Sequence, residues 1–271
     1  MKVALRVLAG AALLVLVVWY VDPRTLARSL SGANPWLFAC AVAVAIVSNV
    51  FSALRWKAIA GNLRLQVSAL QALLMYARAT TANMMLPGSV VSGDVLRSYQ
   101  LSRLGNPLAA SAWSVFLDRF SGLWILCAMS AIAAAALGYW GYAAILAAAF
   151  IGPLLPIPLP KNLQSGRPIL VRSAWYSIVV QLVAAGTLWV CAQAIGLGVS
   201  YALMLAAAAP IFIMAALPIG VAGFGAREAA AVAVLGVAGV APEQAFAVGL
   251  LYGLAAVAQG ILAAPLFLAK A

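Results

Sequence analysis

Histidine is absent from this sequence, acidic residues number five and cysteines three, and only 8% of the 271 residues are charged. Without histidine the chain lacks the commonest general base and most zinc-binding arrangements. The acids Asp22, Asp94, Asp118, Glu228 and Glu243 are spread along the chain, not set at the close spacing of a DxxD magnesium site. No Gly-x4-Gly-Lys-Ser/Thr phosphate loop occurs, so the usual sequence sign of an ATP site is missing too. Cys40, Cys127 and Cys191 lie far apart in apolar stretches with no CxxC spacing, and read as packing residues. An enzyme is therefore not expected, since its acids would have to assemble purely in space. No cofactor or metal is expected either.

What is abundant settles the class. The chain is 66% hydrophobic with a mean hydropathy of +1.09. Its apolar runs are continuous and long enough to cross a bilayer, unlike the short alternating segments of a barrel. The expected fold is an all-α polytopic membrane protein, residues 1–271 forming one transmembrane domain. Spanning helices are predicted near 3–20, 36–54, 112–137, 141–158, 174–195 and 244–268. The first resembles a signal peptide but runs into Trp19, Tyr20, Asp22 and Pro23 without a cleavage site, and reads as a retained helix. The net charge of +11 comes from scattered Lys and Arg, which suits topology and anionic lipid headgroups rather than nucleic acid.

Two further apolar runs, 69–86 and 201–217, end at Leu-Pro and pass into glycine-rich sequence: LPGSVVSGDVLR from Leu86 and LPIGVAGFGARE from Leu217. Positive clusters at Arg55, Lys57 and Arg64, at Arg97 and Arg103, and at Lys161, Arg167 and Arg172 are assigned to the cytoplasm, with both termini. That assignment requires 69–106 to enter and leave on one face and 201–241 on the other. Two oppositely oriented re-entrant hairpins follow, with inverted halves at about 36–137 and 174–268. The competing topology makes each hairpin arm a full span.

Within these breaks, Pro87, Gly88, Gly93, Pro218, Gly220, Gly223 and Gly225 are the candidate backbone hinges. Asp94 is placed to cap a short helix carrying Arg97 one turn later, either as a purely local ion pair or as part of a site. Arg227 and Glu228 abut the apolar run from Ala229, where ionisable groups need a partner or a cavity. A helix starting near Ala226 would aim its amides at an anion such as phosphate, and Arg227 could grip the same group. Asp118 and Arg119 interrupt one long helix and point about 100° apart, so each needs a partner elsewhere or lies at a membrane edge. Arg78, Arg97 or Arg227 are the candidates for Asp118. Arg78, Thr80, Thr81 and Asn83 put polarity on the first hairpin's descending arm, as a hydrophilic groove would require. The stripe Trp113, Phe116, Phe120 and Trp124 reads as packing or lipid contact.

Arg55-Trp56, Leu86-Pro87-Gly88 with Gly93-Asp94 and Arg97, Asp118-Arg119 with Gly122, and Leu217-Pro218 with Gly220, Gly223, Gly225, Arg227 and Glu228 together resemble the lysylphosphatidylglycerol synthase transmembrane-region family. That family's membrane domain is the flippase part of the multiple peptide resistance factor and also occurs alone. The resemblance implies a standalone form without the aminoacyl transferase, handling a phospholipid or other anionic or modified lipid. Val221-Ala222-Gly223 departs from the family's commoner Gly-Gly form. Substrate-binding candidates are Arg78, Asn83, Asp94, Arg97, Asp118, Arg119, Arg227 and Glu228. The expected function is movement of a lipid between leaflets, the headgroup in a polar groove and the acyl chains in the bilayer. The alternative is a non-transporting accessory subunit that positions a separately encoded lipid-modifying enzyme. Expected partners are membrane lipids, with a second copy of the chain and that enzyme also admitted, and the expected location is a bacterial cytoplasmic (inner) membrane.

Overall fold

A computed structural model describes Trp19 and residues 23–85, 90–154, 161–217 and 223–267. The described chain is built of helices: α1 (Pro23–Ser31), α2 (Pro35–Asn62), α3 (Ala69–Met85), α4 (Val90–Ser102), α5 (Leu108–Ala136), α6 (Trp140–Ile151), α7 (Lys161–Ala194), α8 (Tyr201–Ala216), α9 (Ala226–Val237) and α10 (Pro242–Ala263), with short 3-10 turns at Gly152–Leu154 and Ala264–Phe267. Among the described residues, four helical stretches are long and apolar enough to cross a membrane: Pro35–Asn62, Leu108–Ala136, Pro168–Ala194 and Pro242–Phe267. The span expected at 3–20 lies outside the described residues. The one expected at 141–158 is a helix of 12 residues, α6, closed by the turn at Gly152–Leu154.

Local chemistry explains most boundaries. Asn34 caps α2, its side chain accepting from the amides of Trp36 (2.9 Å) and Leu37 (3.2 Å), and Pro35 supplies a first residue that has no amide to satisfy. Ser200 caps α8 in the same way through the Leu203 amide. Two expectations need correction. Arg55 and Lys57 do not follow the second helix but lie inside it, because Arg55 is neutralised by a carboxylate across the helix interface and gives the helix no reason to stop. The chain turns only at Leu63 and Arg64, where Arg64 adopts φ 60°. Likewise Lys161, Arg167 and Arg172 belong to α7, with Pro168 inside the helix, a position that membrane helices tolerate.

Helices α3 and α4 pack on each other as a hairpin, as do α8 and α9. The open end of the first hairpin is tied by side chains. The Gln66 amide donates to Asn106 Oδ1 (2.8 Å), and Asn106 Nδ2 donates back to the Gln66 carbonyl (3.1 Å) and to Leu101 (2.9 Å). In the second hairpin, Val199 before α8 and Val240 after α9 join one apolar cluster with Ala207 and Leu235.

The helix packing repeats. Exchanging α1 to α5 for α6 to α10, in order, turns α2–α3 into α7–α8, α4–α5 into α9–α10, α1–α10 into α6–α5, α3–α10 into α8–α5 and α2–α10 into α7–α5. The most extensive packing, α2 on α7, maps onto itself. Small residues meet there, Ala41 on α2 clustering with Cys191 and Ala194 on α7 and Ser48 donating to the Val180 carbonyl, which lets helices approach closely where lipid offers no hydrophobic drive between them.

Gly93 corrects a further expectation. It is not a hinge but a residue inside α4, where a Cβ would lie 2.5 Å from the Ala79 carbonyl and 2.6 Å from Asn83 Oδ1. Its amide donates to that same Asn83 oxygen at 2.7 Å, so the residue marks a close approach of α3 and α4. Replacement by alanine is expected to destabilise the protein by about 1–3 kcal/mol through overpacking. Gly61→Ala, where a Cβ would meet nothing within 4 Å, is expected to leave stability unchanged or slightly raised, as read by thermal unfolding of the detergent-purified protein.

Candidate functional site

Ionisable side chains are scarce, and the structure gathers most of the buried ones in two places. The first joins α2, α4 and α5. Asp118, fully buried on α5, accepts from Arg55 Nε (2.8 Å) with one oxygen and from Arg97 Nη1 (2.9 Å) with the other. Arg97 also donates through Nη2 to Asp94 (2.8 Å), and Arg119 grips Asp94 with Nε and Nη2 at 3.0–3.1 Å. Arg97 is further sandwiched by aromatic rings, its Cζ 4.4 Å from the centre of Tyr76 and 5.0 Å from that of Trp56. Trp56 is itself pinned by a hydrogen bond from Nε1 to Ser114 Oγ (3.1 Å). Three arginines against two aspartates leave this group one positive charge in excess.

The second lies at the start of α9. Gly223 and Gly225 take φ 77° and 91°, left-handed values that glycine tolerates, so the chain turns sharply into the helix. Glu228, fully buried, accepts from the Gly225 amide, the carboxylate half of a capping box, glycine having no side chain to return the bond. Its other oxygen accepts from Arg227 Nε (3.0 Å) and Nη2, while Arg227 Nε also reaches the Gly249 carbonyl on α10 (2.9 Å) and the guanidinium lies over Phe224. The amide end of α9 is thus partly taken by the chain's own carboxylate, where the sequence suggested an anion.

Two glycines on the last long helix of each half make room for these cations. A Cβ at Gly122 on α5 would stand 2.8 Å from Arg55 Nη1, and one at Gly253 on α10 would land on the Arg227 guanidinium. Between the groups is a cavity of about 300 Å³ with walls from both halves. Arg55, Arg119 and Arg227 line it with Asn49, Gln181 and Gln259, and among the described residues no carboxylate does.

Of the predicted residues, Asp94, Arg97, Asp118 and Arg119 meet in one network, and Arg227 and Glu228 form the other pair. Of the partners considered for Asp118, Arg97 is correct, while Arg78 and Arg227 engage elsewhere: Arg78 Nε donates to the Leu266 carbonyl (3.0 Å), away from the cavity. Asn83 borders the cavity but spends Oδ1 on Gly93. Asp94 does not cap α4, which begins at Val90 and places the carboxylate a full turn inside. Thr80 lines the cavity, whereas Thr81 donates to the Gly260 carbonyl (2.8 Å). The aromatic stripe is packing: Trp113 stacks on Phe116, Phe116 on Phe120, and Trp124 on Phe150. Pro87, Gly88, Pro218 and Gly220 lie outside the described residues. Arg55, Asn49, Gln181 and Gln259 were missed. For α2 a signal was available, since Ser48, Ser52 and Arg55 recur at intervals of four and three, on one helical face of an apolar segment.

The family described as lysylphosphatidylglycerol synthase TM region matches residues 3–162 and 156–264. The chain belongs to that family. It is an integral membrane protein of a class involved in lipid handling. A search of the curated proteins found no match.

Because Asp118 serves two buried arginines, Asp118→Asn leaves Arg55 without a carboxylate and Arg97 with Asp94 alone, and is expected to cost about 3–5 kcal/mol. Arg119, with 37% of its side chain exposed, leaves Asp94 still paired to Arg97 when removed. Arg119→Gln is therefore expected to stay within about 1 kcal/mol of wild type. Thermal unfolding followed by tryptophan fluorescence in detergent separates the two, and equal losses would contradict the network.

Proposed function

We propose that this protein moves an anionic phospholipid between the two leaflets, holding the headgroup in the cavity between its halves. The observation that carries the reading is the lining: three arginines and several neutral amides and hydroxyls, with no carboxylate to repel a phosphate. Each of these arginines is paired to a carboxylate behind the wall, and the one positive charge left uncompensated in the first network favours an anion over a cation in a low-dielectric setting. The same lining argues against a headgroup carrying a free amine as the preferred cargo.

The repeated helix packing supports an inverted-repeat arrangement, with α3–α4 and α8–α9 as re-entrant hairpins reaching the cavity from opposite faces. Their helices of 17, 13, 16 and 12 residues suit that role, being shorter than the roughly 20 residues a span needs. Alternating access would follow from one half rocking against the other. We read the site as binding and not catalytic, and place the protein in a bacterial cytoplasmic membrane with both termini inside.

The test is reconstitution in liposomes with tail-labelled phosphatidylglycerol or phosphatidylcholine and an impermeant reductant that bleaches label in the outer leaflet. Wild type is expected to bring inner-leaflet phosphatidylglycerol out at least ten times faster than phosphatidylcholine. Arg119→Gln, chosen because it spares the buried pairs, is expected to slow that movement about tenfold. Absence of movement with either lipid, under an imposed proton gradient and potential as well, would instead favour the accessory-subunit reading.

A further inference from the structure

A second space of about 190 Å³ opens beside the arginine cavity, between α2, α3, α10 and the turn Ala264–Phe267. The two share Asn49, Tyr76, Thr80 and Gln259 as common wall. Beyond these four the character changes completely: the second space is lined by Ile46, Val50, Leu73, Ala77, Leu262 and neighbouring apolar residues, with no charged side chain. Ile46, Val50 and Leu262 are also exposed on the outer surface, so the apolar space borders the surface that hydrocarbon would cover. At the boundary, Asn49 Nδ2 donates to Gln259 Oε1 and ties α2 to α10. Arg78, which takes no part in the cavity, has a place here: its bond to the Leu266 carbonyl holds the turn whose Leu266 closes the apolar end.

We propose that this apolar space is an acyl-chain site, holding the first part of one chain of the same lipid whose phosphate lies among the arginines. The proposal rests on the headgroup reading above and adds where the tail goes and which seam it passes through, α2 against α3 and α10. Two adjoining spaces, with cations in one, hydrocarbon walls in the other and a collar of amide and hydroxyl side chains between them, reproduce the order of a glycerophospholipid: phosphate, ester-linked glycerol, chain. A water-soluble anion would have no use for the apolar arm, and a purely apolar ligand none for the arginines. The Asn49–Gln259 bond spans the level of the glycerol esters, where its amide groups can exchange partners with ester oxygens as a lipid enters.

The experiment uses wild-type protein in liposomes containing phosphatidylglycerol with a photoactivatable diazirine near the ester end of one chain, followed by peptide mapping of the labelled residues. Labelling is expected on Ile46, Val50, Leu73, Ala77 or Leu262 at least five times above that on the exposed residues Ile132 and Ile145, and is expected to fall about tenfold in Arg119→Gln. Labelling of the seam no greater than on Ile132 and Ile145 overturns the acyl-chain site, and if leaflet exchange is nonetheless intact, the headgroup reading survives it. Seam labelling that Arg119→Gln leaves unchanged separates tail from arginines and overturns the single-lipid proposal together with the headgroup reading. As a second arm, Ala77→Trp should abolish seam labelling and slow leaflet exchange while the protein stays monodisperse. Unchanged labelling in that variant also overturns the site.

Discussion

A buried carboxylate shared by two guanidinium groups is the constraint on which the first half of this protein rests. The charge of Asp118 on α5 is buried in an apolar interior only because cationic partners meet it, and Arg55 in turn has no other carboxylate. Since the three residues come from α5, α2 and α4, satisfying the charge also fixes how those helices stand against one another. Trp56 and Tyr76 then find their places on the faces of Arg97, and Arg119 reaches Asp94 at the cavity edge. Electrostatics here is a positional device more than a source of stability.

The second half solves the same problem over a shorter distance. Glu228 neutralises its neighbour in the chain, Arg227, and caps the turn that starts α9, so one carboxylate serves both helix geometry and charge balance. Only the Gly249 carbonyl brings in another helix. Removing either member of this pair would disturb the turn as well as the charge, and Arg119 is for that reason the better probe of the cavity. Gly122 and Gly253 show how little room these arrangements leave: each occupies the spot where any larger side chain would displace an arginine.

Much of the architecture was legible because proline and glycine mark helix breaks in any setting. The second Leu-Pro stop placed the end of α8 within a residue, and the apolar run around Asp118 gave α5 almost whole. Charge was misread where it lay buried. Arg55 and Arg97 were counted with the exposed Arg64 and Arg103 as markers of one membrane face, because a linear pattern shows a charge without showing the carboxylate that approaches it from 63 or 21 residues away. Gly93 was misread for a related reason: its absent side chain serves a contact with α3, and nothing near it in the sequence names that contact. Asn49, Gln181 and Gln259 carry no formal charge and disappeared among their apolar neighbours, although they make up much of the cavity's polarity.

The repeated packing has a consequence for the two seams of the molecule. Where α2, α3 and α10 meet, open space lies beside the Asn49–Gln259 bond, with Thr81 tied to the Gly260 carbonyl and Arg78 to that of Leu266; the equivalent seam, where α7, α8 and α5 meet, is joined by Gln181 to the Gly122 carbonyl, Ser130 to Leu205 and the Tyr201 hydroxyl to Leu182. Two halves built alike have thus taken different shapes, and trading those shapes would shut the first seam and part the second without calling on any new kind of contact. Under an inverted arrangement, that trade is the difference between facing one leaflet and facing the other. On the function proposed above, the asymmetry seen here would be one of a pair, with the other half of the chain as the pattern for its partner state.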